Sequence, residues 1–443
     1  MRLIKFALMA AVSAGASLGL IASPSDAAAA GPLEMARLSS DIPTGVQIGL
    51  SRPMPNVTGA AYRGIAQEGN YERAVVFYDA EGRPFYTPAE GSACAEECLK
   101  TWRPAAAPPK ATEVGGFKIV NGNWVFRDKP VYVPLSSPKI GDPYPFPSND
   151  DILRPNYPNG LAVQENWDGM RLVRLAPTSW MELPTTIGVA EYRLAPGQIL
   201  AAGAGGTNPM GKALYAFTGT PEQEKALPAM FKPEEAAALT LPVGDFTIRE
   251  RPDGLRQWAY KGATLYTCTC DITIGALNGE GTAAGLAPAV VYAYSVPAEV
   301  ILKKDNLALG RMVEARTGKT LYFRDRMQDD YQPDRARNMY GTVNAQIAAG
   351  FGMAHCSAAC EKEWKPLLAP KDALPTGYWS IYGRPDGKRQ WAYKNAAVYT
   401  FAKEGPGALD GNERYKIAFE DGHGDMPMPK EFGMGIAWRA LVP

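Results

Sequence analysis

Apolar and polar positions alternate with a period of two through much of this chain, which is the signature of half-buried strands. In Gln257-Trp258-Ala259-Tyr260 the aromatic rings fall two residues apart, so on a strand they share one face. Leu265-Tyr266-Thr267 follows a short break at Lys261-Gly262, and the two runs predict a β-hairpin. Pro252-Asp253-Gly254 opens it, with Pro presetting the first turn dihedral, Asp bonding the backbone and Gly accepting a positive φ. Comparable turn-and-strand units lie at residues 79–86 and 315–323, and closing strands are predicted at 170–175 and 436–442. The Ala/Glu-rich segments around Cys-x-x-x-Cys suit a short helix. The expected fold is mainly β, built of antiparallel hairpins with short helical excursions.

These patterns recur at the scale of a whole domain. Residues 251–267, from Arg251-Pro252-Asp253-Gly254 to Leu265-Tyr266-Thr267, return as residues 384–400, so that Trp258, Tyr260 and Tyr266 correspond to Trp391, Tyr393 and Tyr399. A degenerate third copy carries Trp124 and Tyr132. A second marker, Cys94-x-x-x-Cys98-x-x-x-Trp102-x-Pro104, answers Cys356-x-x-x-Cys360-x-x-x-Trp364-x-Pro366, and the middle copy lacks it. Gly275-Ala276-Leu277-Asn278-Gly279 likewise matches Gly407-Ala408-Leu409-Asp410-Gly411. Three tandem modules are therefore expected, at 31–180, 181–304 and 305–443, either as separate units or as one closed propeller-like assembly.

Residues 1–30 change the compartment. Arg2 and Lys5, an apolar run from Phe6 to Ala22 and an alanine-rich exit read as a cleaved signal peptide. The chain is then expected to be exported, periplasmic or extracellular, and soluble after cleavage, with no transmembrane segment in the mature part. Lys and Arg number 46, as do Asp and Glu, so no net charge draws the protein to nucleic acid or anionic lipid. Two His residues in 443 remove the commonest general base and metal ligand from most of the chain. There is no phosphate-binding Gly loop, His-Glu-x-x-His or Gly-x-Ser-x-Gly.

Three of these elements together, residues 398–404, the Cys-x-x-x-Cys-x-x-x-Trp-x-Pro segments and Pro-Asp-Gly-x-x-Gln-Trp-Ala-Tyr-Lys, resemble the bacterial "secreted repeat of unknown function" family. Its members are described as predicted lipoproteins with a Tyr-x-(Phe/Trp/Tyr)-x-x-Asp motif. The resemblance spans the mature chain as three copies of differing fidelity, and it implies export and repetition but no reaction. The chain departs from the pattern in having no Cys at the cleavage zone, Cys268 in place of an aromatic, and Glu404 in place of Asp.

Export places six cysteines where disulfides persist. On a helix, Cys94 and Cys98 would lie ~6 Å apart on one face, within the usual ~4.4–6.8 Å for a bridge, with Trp102 one turn further on; Cys356, Cys360 and Trp364 repeat this. Cys268 and Cys270 on a strand would share a face near the upper edge of that range. The competing chemistry is thiol exchange or copper(I) at Cys356 and Cys360 with His355 alongside or at Cys268 and Cys270, or copper held by His423, Met426 and Met428, because soft sulfur ligands select that ion. Copper is the cofactor this alternative names; otherwise none is assigned.

The leading expectation is a non-enzymatic exported repeat protein, a binding or envelope-associated scaffold for a protein or small-molecule partner left open by the sequence. The alternatives are a periplasmic redox or copper-handling accessory, and a carbohydrate-binding protein using Trp and Tyr faces as platforms.

Overall fold

Each recurring Leu-Tyr pair lies on a strand, and Phe85 directly precedes the strand begun by Tyr86; in each case the neighbouring side chains enter different cores, as the two-residue repeat requires. The structure, a computed structural model, describes residues 33–34, 40–54, 74–90, 92–135, 162–191, 197–203, 211–272, 276–304, 311–328, 356, 360–384, 386–394, 396–412, 414–417 and 434–441. Strands make up 43% of it against 5% helix, so the fold is mainly β. Pairing is antiparallel apart from the match of Ala162–Gln164 to Gln47–Met54 and an isolated bridge between Gln47 and Gly377. Among the described residues no sheet closes on itself.

The expected hairpins form. Arg256–Tyr260 pairs with Ala263–Cys268, and Arg389–Tyr393 with Ala396–Phe401. Lys261 and Gly262 turn the first at φ 48° and 83°, the positive pair that lets a two-residue turn follow the strand twist. Phe246–Glu250 and Trp379–Gly383 flank these hairpins in equivalent registers, setting Ile248 opposite Trp258 and Ile381 opposite Trp391. In the 124 copy, Phe117–Val120 pairs with Asn123–Phe126, setting Ile119 opposite Trp124. Val300–Lys304 pairs with Arg311–Glu314, across residue 304.

Tyr86, Tyr215 and Tyr322 enter three separate inner clusters, each of which contains one cysteine pair. Their predecessors Phe85, Leu214 and Leu321 face the other way. There the recurring segments differ. Phe85, Phe117, Trp124 and Val131 share one continuous core with Leu321, Trp379, Trp391 and Val398. The corresponding Leu214, Phe246, Trp258 and Leu265 form a core of their own. The segment from Ser40 to Ile48 stitches the shared core: Gly45 N–H donates to Pro375 O at 2.9 Å, Gly377 N–H to Val46 O at 3.0 Å, and Ile48 N–H to Gly377 O at 2.9 Å.

Two local expectations are corrected. No helix runs through both Cys94 and Cys98; a 3-10 turn begins only at the second, at Cys98–Lys100, and another lies at Cys360–Lys362. Cys270 is not on a strand, because Ala263–Cys268 ends at Cys268 and the chain turns immediately. No helix among the described residues is long and apolar enough to cross a membrane.

Candidate functional site

All six cysteines are paired as 94–98, 268–270 and 356–360, with Cα separations of 5.1, 5.1 and 5.2 Å. The turn after Cys268 brings its sulfur to Cys270 more closely than an extended strand would. Trp102 and Trp364 pack in the same clusters as their cysteine pairs, as the i+4 spacing anticipates. In the middle copy Phe231 takes that place: Phe231–Pro233 pairs with Ala263–Cys268 as Trp364–Pro366 pairs with Ala396–Phe401. Bridged sulfurs present no thiolate to a metal. His355, His423, Met426 and Met428 lie outside the described residues. Among those described, no group of three or more His, Cys, Asp or Glu side chains is placed to hold a metal ion.

The repeated aromatics are core residues. Trp102, Trp124, Trp258, Trp364 and Trp391 are 1–3% exposed, and Tyr260, Tyr266, Tyr393 and Tyr399 are buried, while Tyr132 is half-buried. Their faces are spent on neighbours such as Trp438, which stacks on Trp364 at 3.8 Å. Trp102, Trp124, Trp258 and Trp364 are packed among these neighbours, while Trp391 also borders an open cleft.

Sequence reasoning passed over the residues that do the most polar work. The Tyr215 hydroxyl donates to Asp271 Oδ2 at 2.8 Å, and Gly279 N–H donates to the Tyr215 oxygen at 3.1 Å. The Tyr322 hydroxyl donates to Glu404 Oε2 at 2.7 Å, which also accepts from Gly411 N–H at 3.3 Å. Asp271 and Glu404 thus hold the same position with side chains of different length. Gly279 and Gly411 pass so close to these rings that a Cβ would lie 2.9 and 2.8 Å from Tyr215 and Tyr322. That close approach is what the repeated Gly-Ala-Leu-Asn/Asp-Gly segment encodes. Burial pushes both tyrosine hydroxyls up, and their neighbouring carboxylates push them further; burial also raises Glu404.

A second set recurs at the hairpins. Gln257 Nε2 donates to Leu265 O at 2.8 Å, and Gln390 Nε2 to Val398 O at 2.9 Å. Arg251 and Arg384 in turn donate to those glutamines and to Asp253 and Asp386. Glu224, capped into the helix Pro221–Lys225, adds a local site: it resists burial because a bidentate Arg249 and the hydroxyls of Tyr266 and Thr264 hold its carboxyl below the ordinary value. These groups satisfy one another and leave little to offer a ligand.

A cleft of about 700 Å³ does stand open where the shared core meets the stitching segments. It draws Thr112 from the 124 copy, Asp372, Leu374 and Trp391 from the 391 copy, and Ser40 and Glu299 from the straps that precede them. Among the described residues, two carboxylates and no Lys, Arg or His line it. Trp391 is 3% exposed, and its indole nitrogen, itself buried, has no acceptor among the described residues, as at Trp102 and Trp124. The lining favours a ligand that is neutral or cationic over an anion.

No protein-family model, curated protein or solved structure matches the chain.

Proposed function

We propose that this chain is an exported, non-enzymatic binding protein assembled from three copies of one β module, with its ligand seated in the cleft between the first and third copies. The observation that carries the reading is the division of polar labour. The groups that recur from copy to copy are consumed in internal hydrogen bonds, whereas the cleft sets the carboxylates of Glu299 and Asp372 beside Ser40 and Thr112 of the first copy. Equivalent bonds at Gln257 and Gln390, and equivalent clamps at Asp271 and Glu404, support repetition of one module. Residues 1–30 and the three cysteine pairs support export. The resemblance to the secreted repeat family supports both.

Thermal-shift and calorimetric screening with small amines, amino alcohols, polyols and carboxylates tests the ligand seat. Amines or amino alcohols should bind, and Glu299→Gln with Asp372→Asn should weaken them by about tenfold or more. Tight binding of simple carboxylates, unaffected by either substitution, would be evidence against this cleft. Turnover of a small molecule, abolished by one point substitution, would overturn the non-enzymatic reading.

A further inference from the structure

The bridge between Cys268 and Cys270 sits at a turn that the chain makes a second time without a bridge. Residues 266–271 correspond to residues 399–404, so Phe401 and Lys403 stand where Cys268 and Cys270 do. The two turns are built alike. Cys268 lies opposite Phe231, and Phe401 opposite Trp364, in equivalent strand pairs. Thr269 N–H donates to Met230 O at 2.9 Å, and Ala402 N–H to Glu363 O at 2.6 Å. Asp271 then receives the Tyr215 hydroxyl as Glu404 receives that of Tyr322. Backbone bonds and a buried clamp therefore shape this turn, and the bridge is not needed to form it.

The bridge also adds little to global stability, because closing the chain over one intervening residue removes little freedom from the unfolded state. The Cys-x-x-x-Cys pairs differ in this respect. Where the second copy lacks such a pair, the chain ahead of Phe231 takes another form, the helix Pro221–Lys225.

Both sulfurs of the Cys268–Cys270 bridge have a polar group placed beside them. Cys268 is 1% exposed, and Cys270 N–H donates to its sulfur at 3.2 Å. Cys270 is half-buried between the exposed residues Thr269 and Ile272, and its sulfur lies 3.9 Å from Asp271 Oδ1. Exposure alone does not single out this pair, since Cys94, Cys98 and Cys360 are half-buried too. The combination does: one sulfur within reach of solvent, and a buried one held by a backbone donor. In disulfide exchange the attacked sulfur must be reachable and the expelled sulfur must carry a negative charge, which a hydrogen-bond donor stabilises.

We propose that the Cys268–Cys270 bridge is a thiol–disulfide exchange site that oxidises the thiols of a partner, with Cys270 as the sulfur attacked and Cys268 as the sulfur released. It is independent of the ligand cleft. A partner thiolate attacks Cys270 Sγ and forms a sulfur–sulfur bond with it. The Cys268–Cys270 bond breaks, and its electron pair leaves on Cys268 as a thiolate beside the Cys270 N–H. A second partner thiolate then attacks the partner sulfur of this mixed disulfide. The partner gains a disulfide, and Cys270 leaves with the electron pair. Two partner thiols have lost two electrons and two protons, and the cysteine pair has gained both. The resulting Cys270 S–H finds Asp271 Oδ1 as its acceptor. The exchange is stoichiometric, one bridge per chain, so it adds no turnover to a binding protein.

Graded glutathione mixtures on the full native chain, followed by acid quenching, alkylation and mass mapping of each cysteine peptide, test the site. The 268–270 pair should open first, at a ratio of squared reduced to oxidised glutathione about tenfold or more below that which opens 94–98 or 356–360. Direction is read from single variants. Cys268→Ser leaves Cys270, which should react with dithiodipyridine about tenfold or more faster than the buried Cys268 left by Cys270→Ser. Cys268→Phe with Cys270→Lys, the residues of the equivalent turn, should abolish the early opening and retain the thermal midpoint. Cys268→Ala with Cys270→Ala repeats that test without added volume. Opening of 268–270 together with or after the other pairs, equal reactivity of the two single thiols, or a midpoint lowered in both double variants would overturn the proposal.

Discussion

The Tyr215 hydroxyl and Asp271 Oδ2 meet at 2.8 Å although 56 residues separate them, and both side chains are buried. The bond ties the end of the strand Ala263–Cys268, with its cysteine pair, to the strand Lys212–Phe217. Tyr215→Phe removes the donor and leaves a buried carboxylate short of a partner, at an expected cost of about 1–3 kcal/mol. Tyr322→Phe should cost a similar amount. Urea unfolding measures both, and a Tyr215→Phe/Asp271→Ala cycle should give a coupling energy above about 0.5 kcal/mol.

Gln257 and Gln390 are fully buried and each donates to one strand carbonyl. Leucine at either position leaves that carbonyl with one fewer donor and strips the nearby Arg251 or Arg384 of an acceptor. The predicted loss is about 1–3 kcal/mol at each. The two values should agree within about 1 kcal/mol; a large effect at one site and none at the other would speak against equivalent modules.

Glu234 occupies the position that holds Ala105 in the first copy and Leu367 in the third, judged by the matching bonds from Glu234 N–H to Leu265 O, Ala105 N–H to Val131 O and Leu367 N–H to Val398 O. Burial, with Glu235 adding to it, pushes its carboxyl up to about 7 from the ordinary 4.5. Between those values the folded chain holds more protons than the unfolded one. The stability it contributes is therefore present below pH 4.5 and lost as pH rises through about 7. Because the group keeps some contact with water, the loss is discounted to about 1 kcal/mol. Glu234→Gln should flatten the profile over that window, read from denaturant midpoints at successive pH values.

Paired cysteines predict a chemical count. Alkylation of the denatured, unreduced protein should add no label, and reduction first should add six. A free thiol on natively purified protein would reopen the thiol and copper chemistry of Cys268, Cys270, Cys356 and Cys360.

Much of the local fold was legible because strand pairing imposes a period of two on side chains. Trp258 with Tyr260, followed after a short break by Leu265-Tyr266-Thr267, announced a hairpin; the burial of both its faces came from the structure. The Cys-x-x-x-Cys spacing announced its own pairing, since four residues already bring two sulfurs within reach. The clamps at Asp271 and Glu404 were half visible. The glycine-rich segment that receives each tyrosine repeats in the sequence, but its contact with Tyr215 or Tyr322 joins distant strands. Glu234 looked like any charged residue, because only the neighbouring strands remove it from water.

By itself, then, the sequence determined the strands, their turns, the cysteine spacing and the recurrence of one pattern, all of which depend on neighbours within a few residues. Tertiary structure decided that Phe85, Trp124 and Trp391 share one core while Leu214, Phe246 and Trp258 form another. The same local pattern is compatible with either arrangement. What selects between them is the fit of the Ser40–Ile48 strap to Pro375 and Gly377, more than 300 residues away along the chain, and the burial of apolar surface that this fit permits.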